Sequence, residues 1–156
     1  MDEKEKDKYW TLRLKNQLCF PLYAAGKEIT RLYRPFLDPL GLTYTQYITM
    51  MVMWEHKELN VTDIGKCLYL DAGTLTGVLR KLEEKGWVSR SCDKGDKRIH
   101  IITLTEEGEK LQDKALGVPQ QMSCLVQLGS EDAKDLYDQL YKLLDILQKS
   151  KGRYPD

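Results

Sequence analysis

The sequence lacks long hydrophobic runs, has no excess of charge of either sign, and holds few of the residues that metal centres and catalytic sites require. No apolar stretch approaches the length of a membrane-crossing helix. The opening Met1-Asp-Glu-Lys-Glu-Lys-Asp-Lys8 is charged with no apolar segment behind it, unlike a secretory leader. The chain is therefore expected to stay in the cytoplasm, with no membrane partner. Lys+Arg and Asp+Glu number 24 each, so the formal net charge is zero and any surface that attracts a polyanion must be local. The four cysteines, Cys19, Cys67, Cys92 and Cys124, are widely scattered, unlike a disulfide framework. In a reducing compartment such thiols are free, and are buried, catalytic or redox-sensing. The two histidines, His56 and His100, stand far apart in sequence with no neighbouring ligand motif, so neither a metal nor another cofactor is expected. No Ser/His/Asp set accompanies the cysteines, and the chain is not read as an enzyme. Internal repeats are absent too.

What is present is a succession of short amphipathic segments in a 156-residue chain, 42% hydrophobic and 31% charged. Apolar residues from Leu12 to Phe36 recur with helical spacing, and Pro21 suits only a first turn there. The main helix is therefore expected just after Cys19, ending before Pro35, with a less regular segment ahead of it. Pro35, Pro39 and Gly41 punctuate a connection. Thr43-Tyr-Thr-Gln46 is a capping-box pattern that opens a helix over Thr45 to about His56. A short helix capped by Thr62 and a longer one capped by Asp71 follow, and Gly86 stops the second. The period then changes to that of two strands, Trp87–Arg90 and Ile99–Leu104, around a polar loop centred near Gly95. Thr105 opens a helix to about Ala115, Pro119 allows only a broken continuation toward Leu128, and a last helix carries the stripe Leu136, Leu140, Leu143, Leu144 and Leu147.

This order predicts a mainly α (α+β) fold, a winged helix-turn-helix whose N- and C-terminal helices form a dimerisation domain. The expected bounds are 45–108 for the DNA-binding part and 1–44 with 109–156 for the dimerisation arms. The helix capped by Asp71 presents Ala72, Thr74, Thr76, Arg80 and Lys81 on its exposed side, where small hydroxyl residues can approach base edges and the positive helix end favours phosphate. From Arg80 to Arg98 there are seven basic residues against four acidic ones on an otherwise neutral protein. Arg98, braced by Asp96 and flanked by Lys97, is the residue expected to enter a minor groove. The partner this implies is double-stranded operator DNA.

Leu70-Asp-Ala-Gly-Thr-Leu-Thr76, Arg80-Lys-Leu-Glu-Glu-Lys-Gly86, and Asp96-Lys-Arg98 ahead of Leu104-Thr-Glu-Glu-Gly108 resemble the recognition helix and wing of the multiple antibiotic resistance regulator (MarR) family. The resemblance covers about residues 12 to 148. Within the family, Asn16-Gln-Leu-Cys-Phe20, Tyr23-Ala24 and Leu42-Thr-Tyr-Thr-Gln-Tyr47 resemble the organic hydroperoxide resistance regulators. Gly77, Gly95 and Pro21 depart from that pattern. The resemblance implies a homodimeric repressor that releases operator DNA when Cys19 is oxidised by an organic hydroperoxide. It also implies that Tyr33 and Tyr44 hydrogen-bond the Cys19 sulfur across the dimer interface, and that Cys124 of the other subunit resolves the sulfenic acid. The alternative within the same family is a repressor released by a non-covalent phenolic ligand.

The chemistry suits these assignments. Only a thiolate attacks the O–O bond, and a helix start offers Cys19 free N–H groups and a positive dipole end. Phe20, Leu22, Tyr23 and Phe36 would welcome alkyl chains. Cys67, among Ile64, Leu68 and Leu70, is expected to be buried and inert, and Cys92 exposed in the wing with no evident partner.

Overall fold

The computed structural model describes residues 8–93 and 95–150, and the chain divides into two units, 1–118 and 119–156. The first unit begins with two single 3-10 turns, Trp10–Leu12 and Leu14–Asn16, the irregular lead-in that the sequence suggested. Helix α1 runs Cys19–Leu32 with Pro21 at its third position, where a missing N–H breaks no helical bond. A single turn α2 (Arg34–Leu37) and a 3-10 turn (Asp38–Leu40) absorb Pro35 and Pro39.

Helix α3 (Tyr44–His56) opens on the predicted box. The Gln46 N–H donates to Thr43 Oγ1 at 3.4 Å, and the Thr43 N–H donates to Gln46 Oε1 at 3.1 Å. Strand β1 (Glu58–Asn60) follows, an element the sequence reading missed because three residues are too few for an alternation to show. Helix α4 (Val61–Leu68) begins earlier than expected. Asn60, not Thr62, is its cap, the Asn60 Oδ1 accepting the Asp63 N–H at 2.8 Å. Helix α5 (Ala72–Glu84) is capped by Asp71 as read.

Strands β2 (Val88–Cys92) and β3 (His100–Leu104) both lie shifted from their expected bounds, so the wing tip is shorter. Both pairings are antiparallel in the order β1-β3-β2, with Leu59 opposite Ile102 and Val88 opposite Leu104. Helix α6 (Glu106–Ala115) starts on the Thr105 cap. The core of this unit gathers Met50 and Met53 of α3, Ile64 of α4, Leu75, Leu79 and Leu82 of α5, and Ile102 of β3. Leu37, Leu111 and Ala115 close it from the flanking helices, and Leu42 from the connection ahead of α3.

Helix α7 (Val118–Val126) starts at the division between the units. It is more regular than Pro119 suggested, because the proline falls in its first turn, where no helical donor is lost. Helix α8 (Ser130–Ser150) completes the second unit and leaves Leu136, Leu140 and Leu147 exposed. No helix among the described residues is long and apolar enough to cross a membrane.

Candidate functional site

Two helices and a hairpin meet the description of a DNA-reading unit. Between α4 and α5, Tyr69 adopts a left-handed conformation (φ 56°) and the Leu70 N–H returns to the Gly65 carbonyl at 3.0 Å, a tight helix-ending turn. A Cβ on Gly65 would stand 3.2 Å from the Leu70 carbonyl oxygen, so the turn favours a glycine. With Leu75, Leu79 and Leu82 buried, the helical period turns Ala72, Thr74, Thr76, Arg80 and Lys81 outward, and all five are exposed.

The hydroxyls on that face are already engaged. Thr74 donates to Asp71 Oδ2 at 2.7 Å while its N–H donates to Asp71 Oδ1 at 2.9 Å, and Thr76 donates to the Ala72 carbonyl at 2.7 Å. In this state both oxygens offer lone pairs to an incoming donor. The Thr74 N–H, with the hydroxyl next in weight, holds the Asp71 carboxyl below the usual carboxylate range.

In the wing, Asp93 accepts the N–H groups of Gly95 and Asp96, and Asp96 accepts the Arg98 N–H at 2.9 Å. The Arg98 Nε lies 3.7 Å from Asp96 Oδ1, and the side chain is 94% exposed. The expected brace is thus in place, with the guanidinium projecting into solvent. Lys97 beside it is exposed. Lys94 lies outside the described residues. Three of the basic residues counted in this stretch are occupied elsewhere, the first being Arg80, whose Nε lies 3.6 Å from Glu84 Oε1. Lys85 bonds the Gly41 carbonyl and lies 4.8 Å over the Trp87 ring, and Arg90 reaches toward Glu83 at 3.7 Å. Arg90 Nε is buried without a hydrogen bond, a placement that ties β2 to α5 by charge alone.

Cys19 is the first residue of α1, exposed, with Leu18 ahead of it offering no side-chain cap. Tyr33 and Tyr44 come together with ring centroids 4.9 Å apart, and burial pushes both phenols above their ordinary value of 10.0. Within one chain these tyrosines do not reach Cys19. Tyr33 caps the opposite end of α1, about 21 Å along a 14-residue helix. Phe36 likewise packs on the core at that far end, so of the expected apolar lining only Phe20, Leu22 and Tyr23 lie near Cys19 in sequence and on its helix.

The family model for MarR matches residues 42–100. The chain is 42% identical over 144 residues to the organic hydroperoxide resistance transcriptional regulator of Bacillus subtilis, covering 92% of this chain and 98% of that protein. The chain belongs to the MarR family.

Its structure resembles reduced AbfR bound to DNA with a TM-score of 0.74 at 35% identity, over 90% of this chain and 99% of that one. It resembles disulfide-formed AbfR with a TM-score of 0.60 at 32% identity, over 90% and 98%. AbfR is a protein of Staphylococcus epidermidis. Like its relatives, this MarR-family chain is a transcriptional regulator and not an enzyme.

Two of its residues were misjudged from sequence. Cys67 is exposed, contrary to expectation, because the buried side of α4 is carried by Ile64 with Val61 and Leu68, and Cys67 falls beside that stripe. Cys92 is exposed as expected but has a partner, His100 Nδ1, 3.9 Å from its sulfur. Tyr47, 3% exposed, was not singled out. It extends the tyrosine pair, its ring 5.9 Å from Tyr33 and 6.2 Å from Trp54. Its position one turn after Tyr44 was the available signal.

Proposed function

We propose that this chain is a homodimeric, redox-sensing repressor. It grips operator DNA with α5 and the β2–β3 wing and releases it when an organic hydroperoxide oxidises Cys19. The observation that carries the reading is the separation of Cys19 from the Tyr33–Tyr44 pair by the length of α1. Tyrosine hydroxyls that stabilise a thiolate must come within hydrogen-bonding distance of it. On this reading a second copy of the chain, laid antiparallel along α1, brings the two together.

The exposed apolar side chains Leu18, Phe20, Leu22, Ile29 and Leu32 of the α1 region, and those of α8, supply surface for such a pairing. Dimerisation arms at 1–44 and 109–156 around a reading unit at 45–108 fit this arrangement. Ala72, Thr74, Thr76, Arg80 and Lys81 face the major groove, and Lys97 with Arg98, braced by Asp96, the minor groove.

The same reading gives the sulfur its course. The Cys19 thiolate attacks one peroxide oxygen, the O–O bond breaks, the alcohol leaves and a sulfenic acid remains. Cys124 of the partner subunit then displaces water to form a disulfide. The names of the relatives support this sequence of events, since one is an organic hydroperoxide regulator and another was solved both reduced on DNA and in a disulfide form.

Measured binding of the reduced protein to genomic DNA fragments, before and after cumene hydroperoxide, tests the proposal. Reduced protein binds and oxidised protein releases, and the Cys19→Ser variant stays bound. Release from the Cys19→Ser variant by peroxide would overturn the assignment of Cys19. Release of that variant by a phenolic acid alone would favour the non-covalent alternative, for which a groove of about 640 Å3 lined by Lys27, Arg34, Asp38 and Tyr44 offers a place.

A further inference from the structure

We propose that Cys92 and His100 form a second thiol site, on the wing, at which Cys92 makes mixed disulfides with small soluble disulfides. The antiparallel register sets these residues directly opposite one another, so their side chains project from the same face of the sheet. The sulfur lies 3.9 Å from the imidazole Nδ1, within hydrogen-bonding reach for sulfur, and both side chains are exposed. An exposed thiol beside an imidazole base is the arrangement that makes cysteine nucleophilic, because the ring accepts the thiol proton as attack begins. Sequence spacing alone concealed the pair, since eight residues of hairpin separate its members.

The surroundings carry charges of both signs. Lys66 and Arg98 line a groove of about 450 Å3 together with His100. Arg90 stands two residues before Cys92 on the same face of β2 and is drawn toward Glu83. Of the nearby carboxylates, Asp63 is committed to Lys66 and Asn60, and Asp93 to the N–H groups of Gly95 and Asp96. Each of these cations already faces a carboxylate, Lys66 with Asp63 at 2.7 Å, Arg98 with Asp96 at 3.7 Å and Arg90 with Glu83 at 3.7 Å, so the site acts through its thiol and imidazole and not through a surplus of charge.

The exchange balances without any other oxidant. His100 takes the Cys92 proton, and the thiolate attacks one sulfur of the small disulfide. The old S–S bond breaks as the new one forms, and the leaving thiolate recovers the proton from the imidazolium. One disulfide is consumed and one made.

The adduct adds bulk next to Arg98. On the reading of the wing as a DNA contact, on which this consequence rests, modification lowers DNA affinity independently of Cys19.

The experiment treats the full reduced chain with glutathione disulfide at about pH 7 and follows each cysteine by peptide mass spectrometry. Cys67 serves as reference, being exposed with no histidine contact among the described residues. Cys92 is expected to react roughly tenfold faster than Cys67, an advantage that a general base can supply. His100→Gln should remove that advantage while the Cys67 rate, which reports an intact fold, stays unchanged. The advantage should also shrink as pH rises and thiols ionise unaided.

Equal rates at Cys92 and Cys67 in the wild type, or a Cys92 rate indifferent to His100→Gln, would overturn the site. DNA binding separates the two readings. If the unmodified chain binds no DNA, the repressor proposal fails while the thiol rates still decide this one. If unmodified chain binds and the adduct binds equally well, the regulatory consequence fails.

Discussion

Trp54 donates its indole N–H to the carbonyl oxygen of Gly108 across 2.8 Å, fastening the end of α3 to the first turn of α6. The bond is possible because α6 lies almost on the backbone of the wing. A Cβ at position 108 would stand 2.2 Å from the Trp87 carbonyl oxygen and 2.7 Å from Leu104 Cδ1. Neither the carbonyl nor the strand behind it can retreat cheaply. Gly108→Ala is expected to destabilise the protein by about 2–4 kcal/mol, read as a lowered midpoint in urea. Trp54→Phe removes this tie and leaves the Gly108 carbonyl with its in-helix bond alone, with an expected loss of about 0.5–1.5 kcal/mol. A Gly108→Ala protein with wild-type stability would show that this contact does not constrain the fold.

Arg98 projects from the wing with its Nε 3.7 Å from Asp96 Oδ1. If it reaches a minor groove, Arg98→Ala should weaken DNA binding roughly tenfold and lower the slope of log K against log salt by about one. Asp96→Ala removes the brace and not the charge, so its effect should be smaller and leave the slope in place. An Arg98→Ala protein with unchanged affinity at every salt concentration would place the wing away from the DNA.

The helix-turn-helix, the capping box at Thr43 and the cap at Asp71 were legible because each is a local pattern whose physical basis lies within a few residues. Less legible were features decided by more distant partners. The strand Glu58–Asn60 exists because Leu59 pairs with Ile102, forty-three positions on, and nothing within three residues announces it. Asn60 displaced Thr62 as a cap because β1 ends there and hands its last residue to the helix. The Cys92–His100 contact is set by hairpin register, and the tyrosine cluster by the packing of Tyr33, at the junction of α1 and α2, on Tyr44 and Tyr47 of α3. The thiol site proper divides in the same way. The helix that separates Cys19 from Tyr33 was legible because Pro21 falls in its first turn, whereas the packing of Tyr33 against Tyr44 and Tyr47 was not.

Tyr33, Tyr44 and Tyr47 make the fold sensitive to alkali. Burial raises all three phenols above 10.0, and for Tyr44 and Tyr47 the charge on a neighbouring tyrosinate raises them further. A folded-state value raised above the unfolded one means that the native state holds the proton more tightly. The stability this represents is intact below about pH 10 and is lost as the pH climbs through the raised values. The thermal midpoint should therefore fall above about pH 10, and fall less in Tyr44→Phe, which has no proton to lose there. Parallel declines in the two proteins would assign the alkaline loss to other groups.

Cys124 offers the sharpest test of how an oxidised Cys19 is resolved. A disulfide requires Cα atoms within about 7 Å, and its formation between copies leaves a covalent dimer that survives denaturation. After stoichiometric cumene hydroperoxide, non-reducing electrophoresis of the wild type should show that dimer, and a thiol reductant should return it to monomer. Cys124→Ser should give no crosslink and instead accumulate the sulfenic acid at Cys19, which dimedone traps. Cys67→Ser and Cys92→Ser should crosslink as the wild type does. If the dimer persists in Cys124→Ser and disappears in one of those two, the resolving thiol belongs to the reading unit instead, and oxidation would act directly on the DNA-contacting helices.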